Sequence, residues 1–287
     1  MTQAVTVSPA LMVPAPQALM LVPGLEQGAA PLHIERLRGG TVNDSWRVDT
    51  LQGRFVLRVD GAQWRRPGVD RGREQLLQRS AAAAGLAPRH LLASAEIGAQ
   101  VSEFHPGRQW ESTDLESPAQ LARLGALLRR LHALPAPASV TGFDPVDCGA
   151  GYLRQCDPQA SQVGAAGAVL AAIGSAAAMV AADSAGPRIL HGDLVHGNLL
   201  DGPDLVLIDW EYAQLSDPVY DLGCLLAYYP AARRHRPLLL AAAGLPATAA
   251  ALWRLDAATY VYEALTWLWH LARGENDARR PGWPLDN

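Results

Sequence analysis

Residues 189–211 run Ile189-Leu190-His191-Gly192-Asp193-Leu194-Val195-His196-Gly197-Asn198-Leu199-Leu200 and, after a Gly-Pro turn, Leu205-Val206-Leu207-Ile208-Asp209-Trp210-Glu211. Two short apolar runs, Ile189-Leu190 and Leu205 to Ile208, each lead towards an aspartate, and the loop between them carries Asn198 five residues after Asp193. Bounded by Gly202-Pro203 and by Asp209, the second run predicts a buried strand. Phosphoryl transfer needs this set of groups: one carboxylate to orient a hydroxyl and accept its proton, an amide oxygen and a second carboxylate to hold magnesium against phosphates. Asp193, Asn198 and Asp209 supply them in that order. A lone His-Gly-Asp is usually a turn and a lone strand-end aspartate a boundary residue; the three at this spacing carry the reading.

The pattern matches a kinase catalytic loop followed by a metal aspartate at a strand end. It departs from the protein kinases at Gly192, where those enzymes place an arginine, and in the seven residues between Asp209 and Asp217-Pro218, too few for an activation loop. What the residues resemble is the aminoglycoside phosphotransferase and choline kinase superfamily, nearest to its bacterial choline kinase and thiamine kinase branch. The resemblance rests on His191-Gly192-Asp193-Leu194 with Asn198, on Ile208-Asp209-Trp210-Glu211-Tyr212-Ala213, and on Asp217-Pro218 with Tyr220-Asp221-Leu222; it covers roughly residues 30–272. It implies ATP and Mg²⁺ as cofactors, His191 holding the loop backbone, and Asp221 accepting backbone N–H bonds from the catalytic loop.

Composition sets the outer bounds. The chain has 287 residues, 49% of them apolar and 18% charged, enough for one large domain or two lobes with a buried core. A net charge of −4 gives no reason to expect nucleic acid or an anionic membrane as partner. All 24 basic residues are arginine, so a side chain clamping phosphates is expected to be Arg. Cys148, Cys156 and Cys224 are odd in number and lack CxxC spacing, which argues against a disulfide framework or a zinc site and for a reducing cytoplasm. Residues 1–22 lack a basic start and are broken by Pro9, Pro14 and Pro16, unlike a signal peptide. Val163 to Ala182 carries no charge and is long enough to span a bilayer, but Ala, Gly and Ser dominate it, so a buried or partly buried helix is expected.

In chain order, residues 1–30 read as a mobile Pro- and Ala-rich arm with one short helix near Gln17 to Val22. Residues 31–103 read as an N-terminal nucleotide-binding lobe. Alternation through Val42 to Val48 predicts a strand that returns through Leu51-Gln52-Gly53 along Arg54 to Val59. Ahead of it, Gly39 and Gly40 let backbone N–H groups approach phosphate, and the segment through Asn43 resembles the family's glycine loop. Arg58, on the strand face opposite Phe55, Leu57 and Val59, is expected to contact ATP phosphates. A helix from an Asp70 N-cap to a Gly85 stop carries Glu74, positioned like the glutamate that braces such a cation. Weaker strands cover 91–101, and Ser102, Glu103 and Phe104 look like the family's interlobe hinge, whose backbone would meet adenine.

Residues 104–287 read as a mainly helical catalytic and substrate-binding lobe. Leu121, Leu124, Leu128 and Leu131 form a core stripe after Ser117-Pro118, and His132 at its end is expected to be structural. Arg233-Arg234-His235-Arg236 reads as a solvated loop. The last strong helix, about Thr248 to Arg273, carries Trp267 and Trp269, similar to the aromatic segment that choline kinases place around choline; cationic ligands bind over such faces. Glu211 could add a carboxylate for a cationic substrate. The fold expected is a two-lobed α+β kinase-like fold with a small antiparallel-sheet lobe and a larger helical one. The activity expected is transfer of the γ-phosphoryl of ATP to a small-molecule alcohol such as thiamine or choline. The rivals are an amino-sugar or aminoglycoside kinase, and a catalytically silent nucleotide-binding regulatory protein.

Overall fold

The computed structural model describes residues 13–37, 43–61, 67–157, 162–184, 186–275 and 279–282. Gly39 and Gly40 lie outside the described residues. The chain divides into two compact units, Met1–Arg65 with Arg89–His105, and Arg66–Pro88 with Pro106–Asn287.

The smaller unit is a five-stranded antiparallel sheet. After a short helix α1 (Pro16–Leu19) come β1 (His33–Leu37), β2 (Asp44–Thr50) and β3 (Gly53–Val59), then β4 (His90–Ser94) and β5 (Ala99–Glu103), in the order β1-β2-β3-β5-β4. The hairpin closes between Thr50 and Gly53, where a φ of +146° favours glycine. Trp46, Val48, Phe55, Leu57 and Val101 are buried in one apolar cluster. Within residues 13–30 the structure corrects the expectation of a mobile arm: Ala18, Val22 and Leu25 are buried in that cluster, and the Thr50 hydroxyl donates to the Pro23 carbonyl at 2.9 Å; the rest of the arm lies outside the described residues.

The larger unit begins with α2 (Arg71–Ala83), whose Asp70 N-cap accepts from the Arg73 N–H at 2.9 Å and which ends ahead of Gly85 (φ +71°). The sequence reading placed this helix in the N-terminal lobe, within 31–103. It groups instead with the larger unit, because Leu77 and Ala81 join that unit's core and Leu86 accepts from the Leu207 N–H at 2.9 Å. Next come β6 (Arg108–Gln109), α3 (Pro118–His132), α4 (Pro145–Leu153) and α5 (Val163–Ala181). Leu121, Leu124, Leu128 and Leu131 of α3 are wholly buried, and Ser117 caps the helix. The uncharged α5 is long and apolar enough to cross a membrane, yet it packs on α4 and α8, burying Ala166, Val169, Ile173, Ala176 and Val180.

The strands that frame the central loop follow: β7 (Arg188–Leu190), β8 (Leu199–Asp201), β9 (Leu205–Leu207) and β10 (Gln214–Ser216). β6, β8 and β9 form one antiparallel sheet, and β7 pairs with β10. The chain closes with α6 (Val219–Tyr228), α7 (Arg236–Ala242) and α8 (Ala249–Ala272). α6 meets α8 at Gly223, where a Cβ would lie 2.6 Å from the Ala258 carbonyl carbon. The segment read as a solvated loop is a 3-10 turn, Pro230–His235, leading into α7, with Arg233 paired to Glu263 and Arg236 to Asp256.

Candidate active site

The Asp193 loop leaves β7 and is tied down by α6. Asp221, wholly buried in the first turn of α6, accepts the His191 N–H at 3.1 Å and the Gly192 N–H at 2.9 Å, and lies 2.9 Å from His132 Nε2. One turn on, Cys224 Sγ accepts the Leu194 N–H at 3.3 Å and donates to the Gly192 carbonyl at 3.7 Å. The Tyr229 hydroxyl, at the end of the helix, accepts the His196 N–H at 2.8 Å. His191 Nε2 donates to the Ile208 carbonyl at 2.9 Å, and the ring meets Trp210 edge-on at 5.0 Å. Burial holds this imidazole below its ordinary range, so it is neutral.

Asn198 is brought onto Asp193 by the 3-10 turn His196–Asn198. Its Nδ2 donates to the Asp193 carbonyl at 2.9 Å and to the Asp193 carboxylate at 3.0 Å, which orients the amide and leaves Oδ1 as an acceptor. Pairing of Leu199 with Leu207 continues outward as Ile208 N–H to Asn198 O at 3.0 Å, so Asp209 follows the residue that faces Asn198. Asp209 has φ +59°, the one positive φ among the described non-glycine residues, and this turns the chain out of β9. The turn after it is pinned by Trp210, buried with its indole N–H on the Leu207 carbonyl at 3.0 Å, and by the Tyr212 backbone against Gly192.

Of the expected substrate residues, Trp267 departs from its sequence reading. Trp267 is a core residue, 2% exposed, with its indole N–H on Gln162 Oε1 at 3.2 Å, so it has no face for a ligand. Trp269 is half-buried and the Arg273 guanidinium stands 4.7 Å over its ring. Glu211 is buried and paired with Arg71 at 3.3 Å, so its charge is already offset. The same Arg71 Nη1 holds Glu74 at 2.7 Å; Glu74 is fully buried. Two tyrosines end α6: Tyr229, bonded to His196, and Tyr228, a residue 39% exposed whose ring lies 6.5 Å from that of Tyr229. The Tyr228 hydroxyl bonds to Thr266, and burial of that group, followed by the charge of Asp193, holds it well above the phenol range.

In the smaller unit, Arg58 is 8% exposed on β3 between Ser45 and Gln100, and Asn43 is buried just ahead of β2. The N–H groups of Glu103 and Phe104 bond to the Arg89 and Arg54 carbonyls at 2.9 and 3.0 Å. Those two N–H groups are therefore engaged within the sheet, and the carbonyls of the segment are the backbone groups left to the expectation of an adenine contact. The Glu103 carboxylate is paired with Arg89, and Arg47 stands 5.0 Å over the Phe104 ring.

The family model described as the phosphotransferase enzyme family matches residues 33–270. The chain belongs to the phosphotransferase enzyme family. It is similar over 95% of its length, and 87% of the other chain, to a choline/ethanolamine kinase family protein from Mesorhizobium loti (26% identity, TM-score 0.71). It is similar in fold to choline kinase LicA from Streptococcus pneumoniae (20% identity, 91% and 92% covered, TM-score 0.71). A third likeness is to spectinomycin phosphotransferase APH(9)-Ia in complex with ADP and spectinomycin (14% identity, 93% and 91% covered, TM-score 0.63). No curated protein sequence matches this one. The protein is thus a small-molecule kinase of the two-lobed kinase-like fold, with an antiparallel-sheet lobe and a helical lobe.

For this phosphotransferase the donor set suits a hard cation. Asn198 Oδ1 and the Asp209 carboxylate would offer oxygen donors to such an ion, and no group of three or more His, Cys, Asp or Glu able to hold a metal occurs among the described residues. Mg²⁺ needs few protein ligands because it keeps waters and phosphate oxygens. Four contributors to the site were not read from sequence: Arg71, His132 as the partner of Asp221, Cys224 and Tyr228. Asp221, Cys224 and Tyr228 do share a helical spacing of i, i+3, i+7, a signal that marks one face of α6.

Proposed function

We propose that this kinase transfers the γ-phosphoryl of ATP to the hydroxyl of a cationic alcohol, of which choline and thiamine are the leading cases. The observation that carries the chemistry is the pair of bonds from Asn198 Nδ2 to the Asp193 carbonyl and carboxylate, which hold the base and the amide as one unit. In this reading Asp193 accepts the proton of the attacking hydroxyl, and Asn198 and Asp209 hold Mg²⁺. When bound, the ion offsets charge on the β- and γ-phosphate oxygens. Arg58, Gly39, Gly40 and Asn43 serve the phosphates, with Glu74 bracing through its helix, and carbonyls of Ser102 to Phe104 serve adenine. Use of ATP implies a cytoplasmic location.

A cationic substrate is supported by Tyr228, a partly exposed aromatic residue on the α6 face that also carries Asp221 and Cys224. The aminoglycoside alternative calls for carboxylates to meet several amines. Here Glu263, Asp256, Asp217 and Glu275 are each paired with an arginine of this chain, which favours a substrate with one positive charge.

The test is ADP release by purified protein with Mg-ATP and thiamine, choline, ethanolamine, an amino sugar or kanamycin. Stimulation by choline or thiamine is expected; stimulation by kanamycin alone overturns the cation reading while leaving the kinase. Asp193→Asn is expected to lower kcat by roughly 10²–10⁴-fold with Mg-ADP affinity unchanged. Wild-type protein that binds ATP and phosphorylates none of these alcohols would point to a regulatory nucleotide binder.

A further inference from the structure

Arg71 has no part in the chemistry above, yet it touches the loop that carries the metal aspartate. Its Nη1 lies 2.7 Å from Glu74 Oε2, on its own helix, and 3.3 Å from Glu211 Oε2, 140 residues later. All three side chains are withdrawn from water: Glu74 is 0% exposed, Glu211 6% and Arg71 15%. An ion pair out of water is weakly screened, and removing one partner leaves the others as buried charge. The loop it reaches needs support from outside. Asp209 sits in a left-handed conformation, which persists only where neighbours over-determine it.

Two of the loop's anchors, the Trp210 indole on Leu207 and the Tyr212 backbone on Gly192, come from the strand and the catalytic loop beside it. Arg71 holds Glu211, between those two anchors, from a separate helix. It also offsets a carboxylate two residues from Asp209 that would otherwise repel the phosphates sharing the metal.

We propose that Arg71 is a positioning residue for the metal-holding loop: by bridging Glu74 and Glu211 it sets the direction of the Asp209 carboxylate and makes helix α2 a support of that loop. The proposal rests on Asp209 and Asn198 holding Mg²⁺. A guanidinium suits the role because its fork can serve two carboxylates at once, which a lysine ammonium does less well.

The experiment titrates Mn²⁺, a paramagnetic ion that also prefers oxygen ligands, into protein with saturating ADP, following free Mn²⁺ by EPR. Wild type is compared with Arg71→Gln, Arg71→Lys, Glu211→Gln and the Arg71→Gln/Glu211→Gln double variant; the Mg²⁺ dependence of turnover is measured alongside. Arg71→Gln is expected to bind Mn²⁺ about tenfold more weakly and to recover part of its rate at high Mg²⁺, with Arg71→Lys intermediate. The double variant should be no worse than the poorer single one, because both act through one contact. Unchanged Mn²⁺ affinity in folded Arg71→Gln, or additive losses, overturns the proposal. Where Arg71→Gln does not fold, wild-type affinity in both Arg71→Lys and Glu211→Gln overturns it. Wild type that binds Mn²⁺ with ADP but phosphorylates no alcohol removes the kinase reading and leaves the Arg71 comparison intact; wild type that binds no Mn²⁺ with ADP removes both.

Discussion

Gly192 shows how much one position can constrain. In sequence it marks the absence of the arginine that protein kinases carry there. In the structure its φ is +76° and a Cβ would lie 2.4 Å from the Tyr212 carbonyl oxygen, so the Asp193 loop and the turn after Asp209 touch through bare backbone. Gly192→Ala is therefore expected to cost roughly 1–3 kcal/mol in stability. Because the displacement falls next to Asp193, it should lower kcat by about 10²-fold. Urea unfolding and turnover on the same preparation check both, and a variant with wild-type melting and wild-type rate would show the contact to be looser than drawn. The meeting of Asn198 with Asp193 was legible at this scale because it follows from residue type and a spacing of five. Arg71 was not, because its partner Glu211 stands 140 positions away.

At the scale of elements, α6 is the scaffold of the Asp193 loop. Asp221, Cys224 and Tyr229 hold four of the N–H groups of residues 191–196, and the helix is seated by Gly223 against α8. α3 enters through His132, whose Nε2 meets the same Asp221 carboxylate. Removing that donor leaves a wholly buried carboxylate with fewer partners. His132→Leu is expected to destabilise by roughly 1.5–3 kcal/mol, and His132→Gln, which keeps a donor, by less. Chemical denaturation of the two variants decides it; equal losses would make His132 a matter of packing alone. The helices themselves were legible, since leucine spacing, Asp70, Ser117-Pro118 and Gly85 are local signals. The seating of α2 was not, because its apolar face fits either unit by pattern and only packing of Leu77 and Ala81 chooses.

For the whole molecule, burial of titratable groups sets a pH range of stability. His191 has its folded pKa lowered by burial, so its stability is present above the unfolded value of about 6.5 and is lost as pH falls through the folded one. Asp201, held low by Arg123, and Asp114, held low by Arg108, add losses only below the ordinary value of 3.8. Cys224 is raised by burial, so its stability is full below the ordinary thiol value of 9.0 and is lost as pH rises beyond it. Unfolding midpoints in urea are thus expected to plateau between about pH 7 and 9 and to fall on either side. His191→Phe should flatten the limb between pH 7 and 5 relative to wild type; an unchanged slope would show that another group carries it.

Residue order alone carries the class of chemistry, the kinase-like fold and the bounds of helices α2, α3, α5 and α8. Catalytic spacing, apolar periodicity and cap residues act over a few positions, and the chain order preserves them. Packing in space, by contrast, sets Ala18, Val22 and Leu25 against the sheet, puts Trp267 in the core, and brings Arg71 to Glu211. Burial and charge pairing depend on which surfaces come together in space. A tryptophan, a glutamate or a proline-rich stretch carries no mark along the chain of what will cover it.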